Sequence, residues 1–461
     1  MTPTDLIVVL PGIMGSALRR HGKLVWAPSA GTAIRAICTL GRSLTDLRLP
    51  EGVGDDHPGD DVEPAGLMPD LHVLPGIWTP VKGYDVLLKR LRSLGYRETL
   101  THPGATPGNL LPVGYDWRLS NRYNGARLGT IVEPALQRWR AQGSQYADAQ
   151  LIFVCHSMGG LVARWYIEHC GGADITRKLI TLGTPYRGAP KALEQLVNGV
   201  SKAFGPLSTH LTDFATSLPA LHQLLPEYAC IEHHGTLAKI AEVHPPGLNR
   251  QMTRDAALFH TQLRDAETNR PDSLNSTHAI VGMQQSTTST VRLADGLVVP
   301  LDTYQGDNLF GDATVPIVGA CRPDVPMDSN TLRRIPDKHG NLHRNRAALD
   351  ELEGVLTARN IHIRAPDTIH ARVHVPEFAL AGQPLPIEAT LSNNHQVACR
   401  ITVTNETGQL IQARVITPPH RTFIEGLPPG AYTIDFNGLN PTPPISPVSS
   451  TTLIWDPTIT T

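Results

Sequence analysis

One stretch constrains this chain more than any other: Leu151-Ile-Phe-Val-Cys155-His156-Ser157-Met158-Gly159-Gly160-Leu-Val-Ala-Arg164. An apolar run passes straight into a turn of small residues centred on a serine, and a helical pattern starts directly behind it. Strand, sharp turn and helix in that order are the setting of a nucleophile elbow, whose central residue sits in a strained backbone conformation with room only for small neighbours two places before and after. Gly159 meets that demand on one side. Cys155 stands where glycine is commonest, a small side chain that such a turn tolerates. Without chemistry, the same segment reads as a buried strand-to-helix turn with a capping serine.

A serine hydroxyl is a poor nucleophile until a base takes its proton, so the elbow asks for a histidine oriented by a carboxylate, in the chain order Ser, Asp or Glu, His. Asn308-Leu-Phe-Gly311-Asp312-Ala-Thr-Val-Pro316 places an acid in a tight turn, and Lys338-His339-Gly-Asn-Leu-His343 follows it. Asp312 is preferred over Asp302 and Asp307, which sit in a polar loop, and His339 over His343. The chemistry also needs backbone N–H donors aimed at the developing oxyanion. Met158, directly after the serine, supplies one by position; the turn Pro11-Gly-Ile-Met14-Gly-Ser16 after the first strand is the source of the other. That glycine-rich turn lacks the lysine of a phosphate-binding loop, which argues against a nucleotide.

With 461 residues the chain holds two to three domains. Hydrophobic residues make up 41%, charged residues 18%, and the formal net charge is -2, so nothing marks a membrane span or a nucleic-acid footprint. Strands are expected at 6–10, 151–154, 178–182 and 278–281, and helices at 84–94, 161–169 and 347–356, an alternation that predicts an α/β fold on a mainly parallel sheet. Residues 27–80 and 187–277 break the alternation, the second as a helical stretch without strands, and read as insertions. After about 362 the texture changes to short β-branched runs between turns, a small all-β, immunoglobulin-like antiparallel sandwich. The domains are therefore drawn as 1–362 and 363–461. Six scattered cysteines without a C-x-x-C pair read as free thiols, and Met1-Thr-Pro-Thr-Asp5 lacks the basic stretch and cleavage site of a secretory signal, so a cytoplasmic location is expected. Acidic and histidine clusters at 55–57, 60–61 and 233–234 read as solvated loops rather than a metal site.

Together these motifs resemble the lecithin:cholesterol acyltransferase-like lipases and acyltransferases. The matching segments are Val9-Leu-Pro-Gly-Ile-Met-Gly-Ser16, Tyr115-Asp116-Trp117-Arg118, His156-Ser-Met-Gly-Gly-Leu161, Leu182-Gly-Thr-Pro-Tyr-Arg-Gly188 and Gly311-Asp-Ala-Thr-Val-Pro316, then His339 with Leu342 three residues on. The resemblance covers about residues 5–358. It implies an α/β-hydrolase core with Ser157, Asp312 and His339 as the triad and the amides of Met14 and Met158 as the oxyanion hole. It further implies a lid within 27–80 and a cap over an acyl pocket within 187–277. Asp116 and Trp117 either contact substrate or pack and hydrogen-bond beside the pocket. The lid stretch has one cysteine, Cys38, so a disulfide within it is excluded.

The implied activity is a serine-dependent lipase or acyltransferase on a phospholipid or acylglycerol ester met at a membrane surface, through an acyl-enzyme and without metal or cofactor. A reading from another class keeps the core as a lipid- or partner-binding scaffold with the sandwich as its recognition module. For the sandwich itself, a structural role or a protein partner is expected.

Overall fold

The computed structural model describes residues 3–27, 47–68, 82–99, 107–199, 207–269, 277–323, 325–329, 332–357, 369–392, 395–439 and 445–456. Six parallel strands form the central sheet: β1 (Leu6–Leu10), β2 (Leu110–Pro112), β3 (Leu151–His156), β4 (Thr176–Leu182), β5 (Thr277–Met283) and β6 (Arg333–Pro336), in the order β6-β5-β4-β3-β1-β2. Every residue of β1 and β3 is buried, which is why both read as unbroken apolar runs: a parallel sheet is covered on both faces.

Alternate residues then belong to different cores. Leu6, Val8, Leu10 and Phe153 pack with Leu128, Val132 and Leu136 of helix α2 (Asn121–Arg140) and with Leu161 and Val162 of α3 (Gly159–His169). Ile7, Val9, Ile152 and Val154 pack with Leu87 and Leu91 of α1 (Asp85–Ser93) and with Leu349 and Leu352 of α4 (Arg346–Thr357). Ser120 caps α2 by accepting from the Tyr123 N–H at 3.0 Å. From β1 the chain goes to β2 on one side and then to β3 on the other, so a crevice opens beyond the carboxyl ends of β1 and β3, the place where such sheets bind ligands.

Two expectations are corrected. The 187–277 insertion is not free of strands: Ile231–His233 and Thr236–Ala238 form a hairpin that joins Thr290–Ala294 and Leu297–Leu301 in a four-stranded sheet. Its two turn residues, His234 and Gly235, both have positive φ (49° and 79°), the backbone of a tight hairpin turn; three-residue strands are too short to show a period. The C-terminal sandwich is not purely antiparallel, because Phe378–Leu380 pairs in parallel with Val448–Trp455. Its two sheets have three and five strands around a core that includes Ile387, Ile401, Ile434 and Phe436.

Of the 27–80 stretch, Val62–Leu67 is a strand antiparallel to Ser16–Arg20, while 28–46 and 69–81 lie outside the described residues, as does the expected domain boundary at 362. Cys155, Cys170, Cys230, Cys321 and Cys399 are free thiols; Cys38 lies outside the described residues. No described helix is long and apolar enough to cross a membrane.

Phe153 is fully buried in the middle of β3, edge-on to Tyr166 at 5.8 Å. Phe153→Ala is expected to cost about 3–5 kcal/mol, read as a lowered midpoint in denaturant; an unchanged midpoint would contradict the packing of β3.

Candidate active site

Ser157 follows β3 with φ of 52°, left-handed and costly for a residue with a side chain. The turn is tied down by its neighbours: Ser157 N–H donates to Leu182 O at 2.9 Å, and Ser157 O accepts from Gly160 N–H at 3.1 Å and Thr184 Oγ1 at 2.8 Å. His339 begins a short 3-10 turn after β6, and Asp312 lies in the long connection after β5. Their side chains meet at the serine: His339 Nδ1–H donates to Asp312 Oδ2 at 2.8 Å, and Ser157 Oγ–H donates to His339 Nε2 at 2.8 Å. Asp312 is held from the other side, its Oδ1 accepting from Thr314 N–H at 3.0 Å and Val315 N–H at 2.7 Å. His339 N–H donates to Asp312 O at 2.8 Å, fastening the two loops together. All three residues are buried, Ser157 and His339 at 0% and Asp312 at 1% exposure, so this chain of hydrogen bonds runs without competition from bulk water.

Gly183, just past β4, brings backbone up against both His339 and Asp312. Its φ is 64°, and a Cβ there would lie 3.1 Å from His339 Nδ1, 3.2 Å from Asp312 Oδ2 and 2.8 Å from Leu342 Cδ1.

The turn after β1 flanks the serine. Gly12 N–H donates to Tyr84 Oη at 2.8 Å and Gly15 N–H to Gly12 O at 3.0 Å, whereas the amides of Ile13, Met14 and Met158 donate to no described residue. Two residues had no role in the sequence reading and turn out to join the loops. Tyr84 Oη–H donates to His156 Nδ1 at 2.9 Å, and His156 Nε2–H donates to His339 O at 3.0 Å, an assignment forced because a carbonyl can only accept. Burial pushes the Tyr84 phenol well above its ordinary range, so it acts as a neutral donor. Tyr84 had counted as one apolar position of α1; its hydroxyl partners are distant in sequence and left no local signal.

The Tyr115–Arg118 tetrapeptide braces the same turn. Tyr115 Oη–H donates to Pro11 O at 2.8 Å and Trp117 Nε1–H to Ser16 O at 3.1 Å. Asp116 accepts from Arg118 Nη2 at 2.7 Å, and Arg118 Nη1 donates to Asp60 Oδ2 at 2.7 Å. Asp116 and Trp117 are buried, their polar groups engaged with the protein itself. Asp60 is therefore no freely solvated loop acid: burial alone would raise its carboxyl, but the hydrogen bond and charge of Arg118 outweigh it and hold the pKa below the ordinary value.

The rejected candidates lie elsewhere. His343 stacks on Tyr84, ring centroids 4.6 Å apart, and donates from Nε2 to Gly83 O at 3.1 Å. Asp302 accepts from Ser286 Oγ, and Asp307 closes a turn with Tyr304. Among the described residues no three His, Cys, Asp or Glu side chains group to hold a metal.

The family model for lecithin:cholesterol acyltransferase matches residues 53–292. An uncharacterized protein of Saccharomyces cerevisiae is 26% identical over 182 residues, 39% of this chain; the match spans 23% of that protein's length. Among solved structures, the Bacillus licheniformis lipase BlEst2 is similar in its propeptide form (13% identity, TM-score 0.36, 98% of this chain and 93% of that one) and in its mature form (13%, 0.33, 77% and 92%). Scores at that level carry no weight for the fold, which rests on the strand order itself.

Two outcomes follow from this geometry. Gly183→Ala, on a backbone whose φ of 64° disfavours a side chain, is expected to crowd the imidazole and the carboxylate and to lower turnover about tenfold, short of the roughly hundredfold effect of a 1 Å misplacement; steady-state kinetics on a soluble ester would read it. The second concerns Asp337, beside the histidine. Burial pushes its carboxyl from 3.8 up to about 6, against hydrogen bonds from Asn345, the Lys338 N–H and Asn341. Between 3.8 and about 6 the folded chain keeps a proton that the unfolded chain has released, so stability contributed below that window is lost as pH rises through it. Melting temperatures of wild type and Asp337→Asn across the window should diverge, the wild type falling more steeply.

Proposed function

This chain belongs to the lecithin:cholesterol acyltransferase family, and from that premise we propose that it is a serine-dependent lipase or acyltransferase acting on ester bonds of lipids. The observation that carries the reading is the unbroken chain Asp312 Oδ2, His339 Nδ1 and Nε2, Ser157 Oγ, each link 2.8 Å. Ser157 Oγ attacks the ester carbonyl carbon while His339 Nε2 takes its proton. Asp312 holds the imidazole in the required tautomer and stabilises the imidazolium. The carbonyl oxygen becomes an oxyanion facing the Met158 amide and an amide of the Ile13–Met14 turn.

As the tetrahedral species collapses, the bond to the leaving alcohol breaks, His339 returns the proton to that oxygen, and the acyl group remains on Ser157. Water or a second alcohol then attacks the acyl-enzyme by the same steps in reverse, giving a fatty acid or a new ester. Trp117 acts from behind the site, by fixing through Ser16 O the turn that supplies the oxyanion donor, and Asp116 by holding Arg118 next to it. The family supports a phospholipid or acylglycerol as the ester, met at the lipid surface where such esters reside.

Ser157→Ala should lower turnover by about a millionfold, far beyond the hundred- to thousandfold cost of one oxyanion donor, while circular dichroism stays unchanged. Retained ester cleavage, or a fluorophosphonate adduct on that variant, would refute the assignment. Phospholipid vesicles with and without a long-chain alcohol separate the two branches: a new ester at the expense of fatty acid marks transfer, unchanged fatty-acid release marks hydrolysis.

A further inference from the structure

We propose that the C-terminal sandwich is a working part of the site: it clamps the two loops that carry Asp312 and His339, and so sets this acid and base against Ser157. The inference rests on the catalytic reading of those residues and adds positioning residues to it.

On the histidine loop the clamp is the strand Val448–Trp455. Lys338 Nζ donates to Ser450 Oγ at 2.7 Å and Asn341 Nδ2 donates to Ser449 O at 2.7 Å, so His339 has a sandwich contact on either side of it in sequence. Lys82 Nζ, from the segment ahead of α1, donates to Ser449 Oγ at 2.9 Å. On the acid loop the clamp is the strand Ala371–His374. Gln285 Nε2 donates to Ala371 O at 3.2 Å, while its backbone exchanges two hydrogen bonds with Gly311, the residue before Asp312, at 3.0 and 3.1 Å. The Arg372 guanidinium lies 4.2 Å from the centre of the Phe310 ring.

Beneath these polar contacts Leu453 and Trp455 join the hydrophobic core of the catalytic domain, so the sandwich is seated rather than tethered. Lys338 is enclosed by this seating: burial drives its ammonium down to about 8, against the pull of Glu377 and Asp337 and with the repulsion of Lys191. A cation so placed needs its hydrogen bond to the sandwich. The Ser157 elbow, in contrast, is tied to core strands through Leu182 and Thr184. Two of the three triad members thus depend on the second domain for their exact placement, and the third does not.

The test uses the full chain with Ser450→Ala, Lys338→Met and Arg372→Ala, and Ser450→Thr as the conservative partner. The expected result is a fall in kcat of about ten- to a hundredfold with KM within about twofold. Hydrogen exchange should speed up about tenfold, as for the loss of one charge-assisted hydrogen bond, in the 337–345 peptide of Ser450→Ala and Lys338→Met and in the 308–316 peptide of Arg372→Ala, with β3 unchanged; Ser450→Thr should keep wild-type kcat and exchange. Wild-type kcat and wild-type exchange in Ser450→Ala and Arg372→Ala would overturn the proposal. So would a loss of rate accompanied by equal loss of protection in β3, which marks general destabilisation. Should Lys338→Met fail to fold, Ser450→Ala decides. If the wild type takes no fluorophosphonate on Ser157, the catalytic reading fails by itself, and exchange at 337–345 still decides whether the sandwich holds the loop.

Discussion

An imidazole has two nitrogens, and His339 commits both: Nδ1 to Asp312 and Nε2 to Ser157, each at 2.8 Å. Those two bonds fix the tautomer, the ring plane and the lone pair in one arrangement, and much of the molecule serves to keep three loops at the separations this requires. The loops leave β3, β5 and β6, so the parallel sheet is what brings their ends to one edge. The finer adjustment comes from backbone. His339 N–H reaches Asp312 O, His339 O is held by His156, and Gly183 gives up a side chain so that the pair can approach the end of β4.

Burial makes this arrangement effective and also demanding. With water excluded, electrostatic interactions at the serine are stronger than at a surface, but every polar group in the neighbourhood then needs a partner. Several charged and polar side chains around the site meet that demand. Arg118, fully buried, is shared between Asp116 and Asp60. Arg164 is paired with Glu267 at 2.7 Å. Tyr84 stands between an amide and an imidazole. The tetrapeptide Tyr115–Arg118 touches the Ser157 surroundings through the turn it holds, since Pro11 and Ser16 accept side-chain hydrogen bonds from Tyr115 and Trp117.

What could be read from the sequence was whatever has a local period or a local strain. β1, β3, β4 and β5 were visible as short apolar runs, α1, α3 and α4 as stripes, and the elbow as a serine between small residues; the structure matches β1 residue for residue, trims α1 by one residue at each end, and extends the others by one or two residues at an end. Cross-chain contacts left no such trace. Tyr84 looked like one more apolar position of α1 although its hydroxyl bridges Gly12 and His156. The hairpin at 231–238 was missed because three residues a side are too few for alternation to register. The seating of the sandwich against 337–345 was equally invisible, since Ser449 and Ser450 are ordinary residues in an ordinary strand until the fold brings Lys82, Lys338 and Asn341 to them.

The departure at Cys155 shows which half of the elbow is rigid. A Cβ on Gly159 would lie 2.4 Å from Pro11 O and 2.9 Å from Leu10 O, and neither can retreat, because β1 is locked into the sheet beside β3. Glycine is obligatory there. Two residues before Ser157 the chain is still strand, paired with Leu10 on one side and Thr181 on the other, and the Cys155 side chain enters the same apolar core as Leu10 and Phe153. A thiol fits that core as a small hydrophobe, and burial pushes its pKa far up, so it stays neutral two residues before Ser157. The small-residue rule of the elbow therefore acts here on the side that faces β1 backbone, while the side that faces the core accepts any side chain small and apolar enough to pack.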